Sequence, residues 1–297
     1  MSEAAESAIV FTAAGANVVG VLHVPAAAIR STGIVFVVGG PQYRAGSHRQ
    51  FVLMARGFAR QGFPVLRFDY RGMGDSDGDH PGFDGCAEDI RSAIDVLLRE
   101  RPHLHSVALF GLCDGASAAL MYSVSDARVA GIILANPWVR TASTEAATHL
   151  RHYYLKRLFQ RSFWEKLVGG GLGVRKSLSE FAASVQRARA GSPAEHTTKE
   201  SFVLRMRNAM RAFDGQVLFL LSGRDLTAKE FQDLCANDKV WRGAMSRDAV
   251  ARADMPDADH TFSARQALDV AVKTSTDWLI HSESRRAGAR VAMTKVA

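Results

Sequence analysis

Short apolar runs alternate along the chain with segments whose apolar residues recur every three or four positions, the signature of buried strands separated by amphipathic helices. Residues 9–13 and 17–23 read as an opening strand pair, and 33–38 as a buried strand. Ser47 stands at an N-cap position before a helix with apolar residues at 51, 52, 55, 58 and 59. The run 64–68 is the next strand, followed by the glycine-rich turn Asp69-Tyr-Arg-Gly-Met-Gly-Asp-Ser76. A helix with apolar positions 90, 94, 97 and 98 leads to an apolar run starting at Ser106, and another strand spans 129–135. This rhythm specifies an α/β fold in which helices flank a mostly parallel central sheet.

The rhythm breaks between residues 140 and 213, where only helical patterns occur, such as Leu150, Tyr153, Tyr154 and Leu158. A helical insertion placed between two sheet strands is expected to serve as a lid. Gly169-Gly-Gly-Leu-Gly173 lies within it; no strand precedes it and no Gly-Lys-Ser/Thr follows, so it reads as a hinge or turn rather than a phosphate loop. The sheet resumes at 216–221, Thr227 is placed to cap a short helix, and a last strand is expected near 249–252. Ser263 can cap the final helix, with apolar positions 267, 268, 271, 272, 278 and 279. The expected organisation is a core of residues 8–139 and 214–282, an insertion at 140–213, and a basic, disordered tail at 283–297.

With 297 residues, 47% of them apolar, the chain can bury a sizeable core. No apolar run approaches the ~20 residues that span a bilayer, so no integral membrane contact is expected. Glu3 and Glu6 occupy the place where a secretory leader would be basic, and the three cysteines form no metal motif. Both features point to the cytoplasm, and no cofactor or metal is implied. The net charge of +7 is uneven: residues 140–213 carry fourteen Lys/Arg against five Glu. A basic segment attracts anionic partners or simply forms a solvated helical surface. It lacks any groove-reading helix or RNA-binding pattern, which argues against nucleic acid.

The densest chemical signal follows Ser106, where an apolar strand runs into Gly111-Leu-Cys113-Asp-Gly115 and then a small-residue helix start. A strand that turns so abruptly into a helix exposes its central side chain and requires small residues two positions to either side. Alone, the five-residue pattern would equally describe a buried structural cysteine. Two further features separate these readings. Asp225 closes the apolar run that begins at Gln216, and His260 sits in Asp257-Ala-Asp-His-Thr-Phe262 after the last strand. Nucleophile, acid and histidine in that chain order are the order of α/β-hydrolases.

These motifs, with the glycine-rich turn, make residues 8–282 resemble the α/β-hydrolase superfamily. More narrowly, Val38-Gly-Gly-Pro-Gln-Tyr-Arg-Ala-Gly-Ser-His-Arg49 and Asn136-Pro-Trp-Val-Arg140 resemble the exosortase A system-associated hydrolases, type 1. That resemblance implies a bacterial protein encoded near exopolysaccharide and protein-sorting machinery, with acyl-activating ligases and acyl carrier proteins among its neighbours. The cysteine nucleophile is similar to that of dienelactone hydrolases and polyester synthases.

The site expected from these residues has Cys113 as nucleophile, His260 as base and Asp225 as the carboxylate orienting it, with Asp257 and Asp259 as weaker rivals for that last role. The oxyanion requires two backbone donors. Asp114 N–H is the first; Gly40 is preferred for the second and Gln42 is next, since Pro41 has no N–H. The Asp114 side chain is expected to face solvent or make a structural bond. Tyr43, Arg44 and Trp138 are expected to line the pocket. Arg44, His48 and Arg49 could grip an anionic group, or His48 and Arg49 could be plain helix surface. Asp69, Arg71 and Asp75 should brace their turn. The expected activity is hydrolysis of a small acyl ester or thioester through acyl-Cys113, with coenzyme A or acyl carrier protein as candidate donors. The alternatives are acyl transfer to an amine or alcohol, and a non-catalytic scaffold that keeps the pocket.

Overall fold

A computed structural model describes residues 4–26, 29–40, 42–140 and 201–294, with side chains as far as Arg286. The expected helical patterns at 150–158 and the Gly169–Gly173 turn lie outside the described residues. Residues 1–139 and 201–297 group into one unit and 140–200 into another.

In the first unit, β1 (Ala5–Ala13) and β2 (Ala16–Val24) form a hairpin. It closes through Ala14 at φ 44 and Gly15 at φ 84, the left-handed pair that a tight two-residue hairpin turn requires. There follow β3 (Thr32–Val37), α1 (Gln50–Arg60), β4 (Val65–Phe68), α2 (Ala87–Glu100), β5 (Ser106–Leu112), α3 (Asp114–Ser123) and β6 (Val129–Ala135). Beyond the second unit come α4 (Phe202–Ala212), β7 (Gln216–Ser222), α5 (Leu226–Asn237), α6 (Lys239–Met245), β8 (Val250–Met255) and α7 (Arg265–Thr294). The eight strands lie in the order β1-β2-β4-β3-β5-β6-β7-β8, with β2 antiparallel to both its neighbours and β3 through β8 parallel.

Helices on both faces explain why β3 and β4 are buried at every position and read as unbroken apolar runs. One face packs against Ile90, Ile94 and Leu97 of α2, Ala116 and Leu120 of α3, and Met206 and Met210 of α4. The other packs against Phe51, Met54 and Phe58 of α1 and Leu268, Ala271 and Leu279 of α7. There Phe36 and Phe110 meet with ring centroids 4.7 Å apart. The parallel arrangement brings the carboxyl ends of β3, β5, β6, β7 and β8 to one edge, where such sheets bind their ligands.

Several expectations shift. Helix α4, which lies inside the expected 140–213 insertion, joins the core unit because Met206, Ala209 and Met210 bury their side chains against it. The basic end is not irregular: α7 continues through it to Thr294. Contacts to the start of β3 and β5 hold it, with Ser31 Oγ donating to Glu283 at 3.2 Å and Arg286 donating to Ser106 Oγ at 3.2 Å and Thr32 Oγ1 at 3.1 Å. Ser47 does not cap α1; the N-cap is Arg49, left-handed at φ 64. Thr227 gives way to Asp225 as the cap of α5, and Ser263 donates to Asp259 instead of capping α7. The last strand, β8, is longer and later than expected. Among the described residues no helix is long and apolar enough to cross a membrane.

Candidate active site

At the β5–α3 junction Cys113 has φ 61 and ψ −126, a conformation that costs an L-residue about 1–3 kcal/mol and persists only where surroundings enforce it. The enforcement is visible. Cys113 N–H donates to Ala135 O at 3.0 Å, and Cys113 O accepts from Trp138 N–H at 3.1 Å and Ala116 N–H at 3.1 Å. A Cβ at Gly111 would collide with Gly115 O and Ala116, and one at Gly115 with Val37 O. Both glycines are therefore required by contact. The strained turn lifts Cys113 into a half-buried position, whereas Cys86 and Cys235 are buried and desolvation pushes each of their thiols up to about 12.

Asp225 ends the β7 loop and starts α5, so its carboxylate sits at a helix N-terminus. It accepts from Thr227 N–H at 3.2 Å and Ala228 N–H at 3.1 Å, and His260 Nδ1 lies 2.9 Å from its Oδ2. Asp225 is 6% exposed. The hydrogen bond to Asp225 is the main cause, and one to the Cys113 side chain the next, of a His260 pKa raised to about 10 against the opposing effect of burial. The imidazole is thus hydrogen-bonded to the carboxylate and feels the Cys113 side chain as well. Asp257 pairs with Arg224 at 3.0 Å, and Asp259 accepts from Thr261 and Ser263 N–H within its own loop. Neither rival is directed at the imidazole.

Around this line, two of the expected roles do not survive. Gly40 N–H is not free for an oxyanion: it donates to Asp114 Oδ1 at 2.5 Å. Arg44 is not free to grip an anion, because its guanidinium pairs with Asp69 and, at 2.6 Å, with Asp75. Its N–H also donates to Asp69 Oδ1 at 2.5 Å and its carbonyl accepts from Arg67 Nη1 at 2.6 Å. It braces the β3–α1 loop against the glycine-rich turn, and Arg71 ties that turn to α2 through Asp89 at 3.0 Å. His48 Nε2 is 3.1 Å from Thr261 Oγ1, tying the β3–α1 loop to the residue after His260. Arg49 is the α1 cap described above. Gln42 Oε1 accepts from the buried Gln50 at 2.9 Å. Tyr43 is 49% exposed, and Trp138 is half-buried beside the elbow, its carbonyl accepting from Ser117 Oγ at 2.6 Å.

Asn136, which the sequence shows only as part of the Asn136-Pro-Trp-Val-Arg140 motif, holds the site together. Fully buried and left-handed at φ 46, it donates from Nδ2 to His260 O and to Ser222 Oγ, both at 3.0 Å, and accepts from Ser222 N–H at 2.8 Å. It fastens the histidine loop to the ends of β6 and β7. An Asn between an apolar strand and a proline was the available signal, since Asn tolerates the left-handed region. Among the described residues no group of three His, Cys, Asp or Glu side chains is arranged to hold a metal.

Comparison with known proteins bears on the fold and the family. An esterase from Pyrococcus furiosus superposes with a TM-score of 0.64 at 13% identity, over 94% of this chain and 92% of that one. A thermostable carboxyl esterase from Bacillus coagulans gives 0.62 at 18% identity, over 94% and 99%. A dienelactone hydrolase from Anabaena variabilis gives 0.60 at 16% identity, over 95% and 99%. At these identities the likeness is one of fold. Among curated proteins none matches significantly. The family model described as serine aminopeptidase, S33, matches residues 30–219, a span that includes the elbow and Cys113. The chain therefore belongs to the serine aminopeptidase S33 family and is an enzyme of the α/β-hydrolase fold.

Proposed function

We propose that the protein is a cysteine-dependent hydrolase of small acyl esters or thioesters, acting through an acyl-Cys113 intermediate. The observation that carries this reading is the imidazole of His260, hydrogen-bonded to Asp225 at 2.9 Å and raised in pKa by both Asp225 and the side chain of Cys113, which stands at a left-handed elbow. His260 Nε2 takes the thiol proton while Nδ1–H remains on Asp225. The sulfur attacks the acyl carbon and the carbonyl π pair moves to oxygen. Collapse of that oxyanion breaks the bond to the leaving group, which takes the proton from Nε2. His260 then deprotonates water, which attacks the thioester and returns the sulfur. Asp114 N–H, at the start of α3, supplies one oxyanion donor. With Gly40 engaged and Pro41 lacking a hydrogen, Gln42 N–H is the second.

The sulfur favours a second reading, acyl transfer, because an acyl-cysteine is itself a thioester and exchanges with amines and alcohols as well as with water. Coenzyme A or a carrier protein as donor rests on the charge of the 140–213 segment, of which residues 141–200 lie outside the described residues. The assignment to an exosortase-associated type rests on the two sequence motifs alone. A panel of p-nitrophenyl esters and acyl thioesters tests the reading. Turnover should occur in the wild type and fall to background in Cys113→Ala and His260→Ala. Unimpaired turnover in Cys113→Ala would exclude it. Product analysis with added amine or alcohol separates hydrolysis from transfer.

A further inference from the structure

The residue after Cys113 makes a contact that the chemistry above does not use. The Asp114 carboxylate accepts the N–H of Gly40, 74 residues earlier in the chain, at 2.5 Å. The fit around it is close. A Cβ at Gly39 would collide with Asp114 Oδ1 and with Leu112 O, so the glycine at 39 lets the β3–α1 loop pass directly over the elbow. Gly40 is left-handed at φ 62, and a Cβ there would meet nothing within 4 Å. Its glycine thus answers to backbone conformation rather than to crowding. The next N–H along this loop is that of Gln42.

We propose that Asp114 is a positioning residue for the oxyanion site: by holding Gly40 N–H, its carboxylate fixes the β3–α1 loop so that Gln42 N–H and Asp114 N–H face the same oxygen. The inference rests on the acyl-Cys113 reading and deepens it. One carboxylate joins the two segments that supply the donors, so the hole is assembled by the elbow itself. Burial raises the Asp114 pKa while the Gly40 N–H favours the ionised form. An amide oxygen at the same place would keep the contact.

The test compares two reactions of the same sulfur. Acylation by p-nitrophenyl acetate creates an oxyanion, whereas alkylation by iodoacetamide displaces iodide at a saturated carbon and creates none. Asp114→Ala should slow acylation about 30-fold or more while alkylation of Cys113 stays within about twofold, and Asp114→Asn should restore most of the acylation rate. Alkylation at the wild-type rate also shows that the elbow is intact; if the alanine variant does not fold, Asp114→Ser serves instead, its hydroxyl being too short to reach Gly40. Wild-type acylation rates in Asp114→Ala or Asp114→Ser would overturn the proposal alone. So would a parallel fall in alkylation, which would make Asp114 a support of the sulfur rather than of the loop. Wild-type protein that alkylates but never acylates would overturn the proposal together with the function on which it rests.

Discussion

Asn136 Nδ2 donates to the backbone carbonyl of His260 at 3.0 Å across 124 residues of sequence. The contact places the imidazole by its backbone, independently of the Asp225 bond that orients the ring. Replacement by alanine removes the side-chain partners of Ser222 N–H and His260 C=O and leaves at φ 46 a residue without the polar side chain that lets Asn occupy the left-handed region. Asn136→Ala should lower stability by about 3 kcal/mol and reduce kcat on the order of tenfold or more, with KM little changed. Denaturant unfolding and steady-state kinetics check both. A kcat that survives the loss of stability would show that the loop holds its shape without Asn136.

The pH dependence follows from the sign of the His260 shift. Its pKa is raised from 6.5 to about 10, so the folded state retains a proton that the unfolded chain loses. The extra stability is fully present below about 6.5 and disappears as pH rises through about 10. Activity should have an alkaline limb near 10, where the proton for the leaving group is lost. Asp225→Asn removes the largest cause of the shift; the limb should move toward neutrality and kcat fall on the order of 10³-fold. A limb unmoved in that variant would assign it to another group.

The elbow glycines make a prediction about folding rather than chemistry. A methyl at Gly111 would overlap Gly115 O and Ala116, atoms in the backbone of α3 that cannot step aside. Gly111→Ala should cost about 3 kcal/mol, measured as a lowered denaturation midpoint. Gly243, with nothing within 4 Å of a Cβ, is the control: Gly243→Ala should be neutral or slightly stabilising in the helix.

The terminal helix is tied to the core through Glu283 and Arg286. A chain ending at Ser282 should lose about 1–2 kcal/mol of stability while its kcat stays within about twofold, because these contacts lie at the amino ends of β3 and β5, away from Cys113. An unchanged melting temperature would mean that the basic end contributes nothing to the fold.

Much of this was legible in the chain because the fold's strongest demands are local. Parallel strands covered on both faces must be continuously apolar, and an elbow must have glycine on either side of its nucleophile; both are visible as short patterns. The contacts that the sequence concealed are those whose partners are remote. From sequence Gly40 looks like a free donor, because nothing in Val38-Gly-Gly-Pro indicates that a carboxylate 74 residues later takes its N–H. Arg44 looks like an anion grip because its partners, Asp69 and Asp75, look like ordinary turn residues until β3 and β4 lie side by side. Asp225 was placed at its strand end by the apolar run before it. That it also caps α5 is not legible in the sequence, because Thr227, with its hydroxyl, is an equally good cap by residue type.

The central claim, that the sulfur of Cys113 carries the acyl group, is tested most directly by rapid-quench intact mass spectrometry during turnover of an activated ester. The account requires a mass increase of one acyl group that maps to the peptide containing Cys113, decays as product forms, and is absent in Cys113→Ala. Full turnover with no adduct on that peptide, or an acyl group on any other residue, would contradict it.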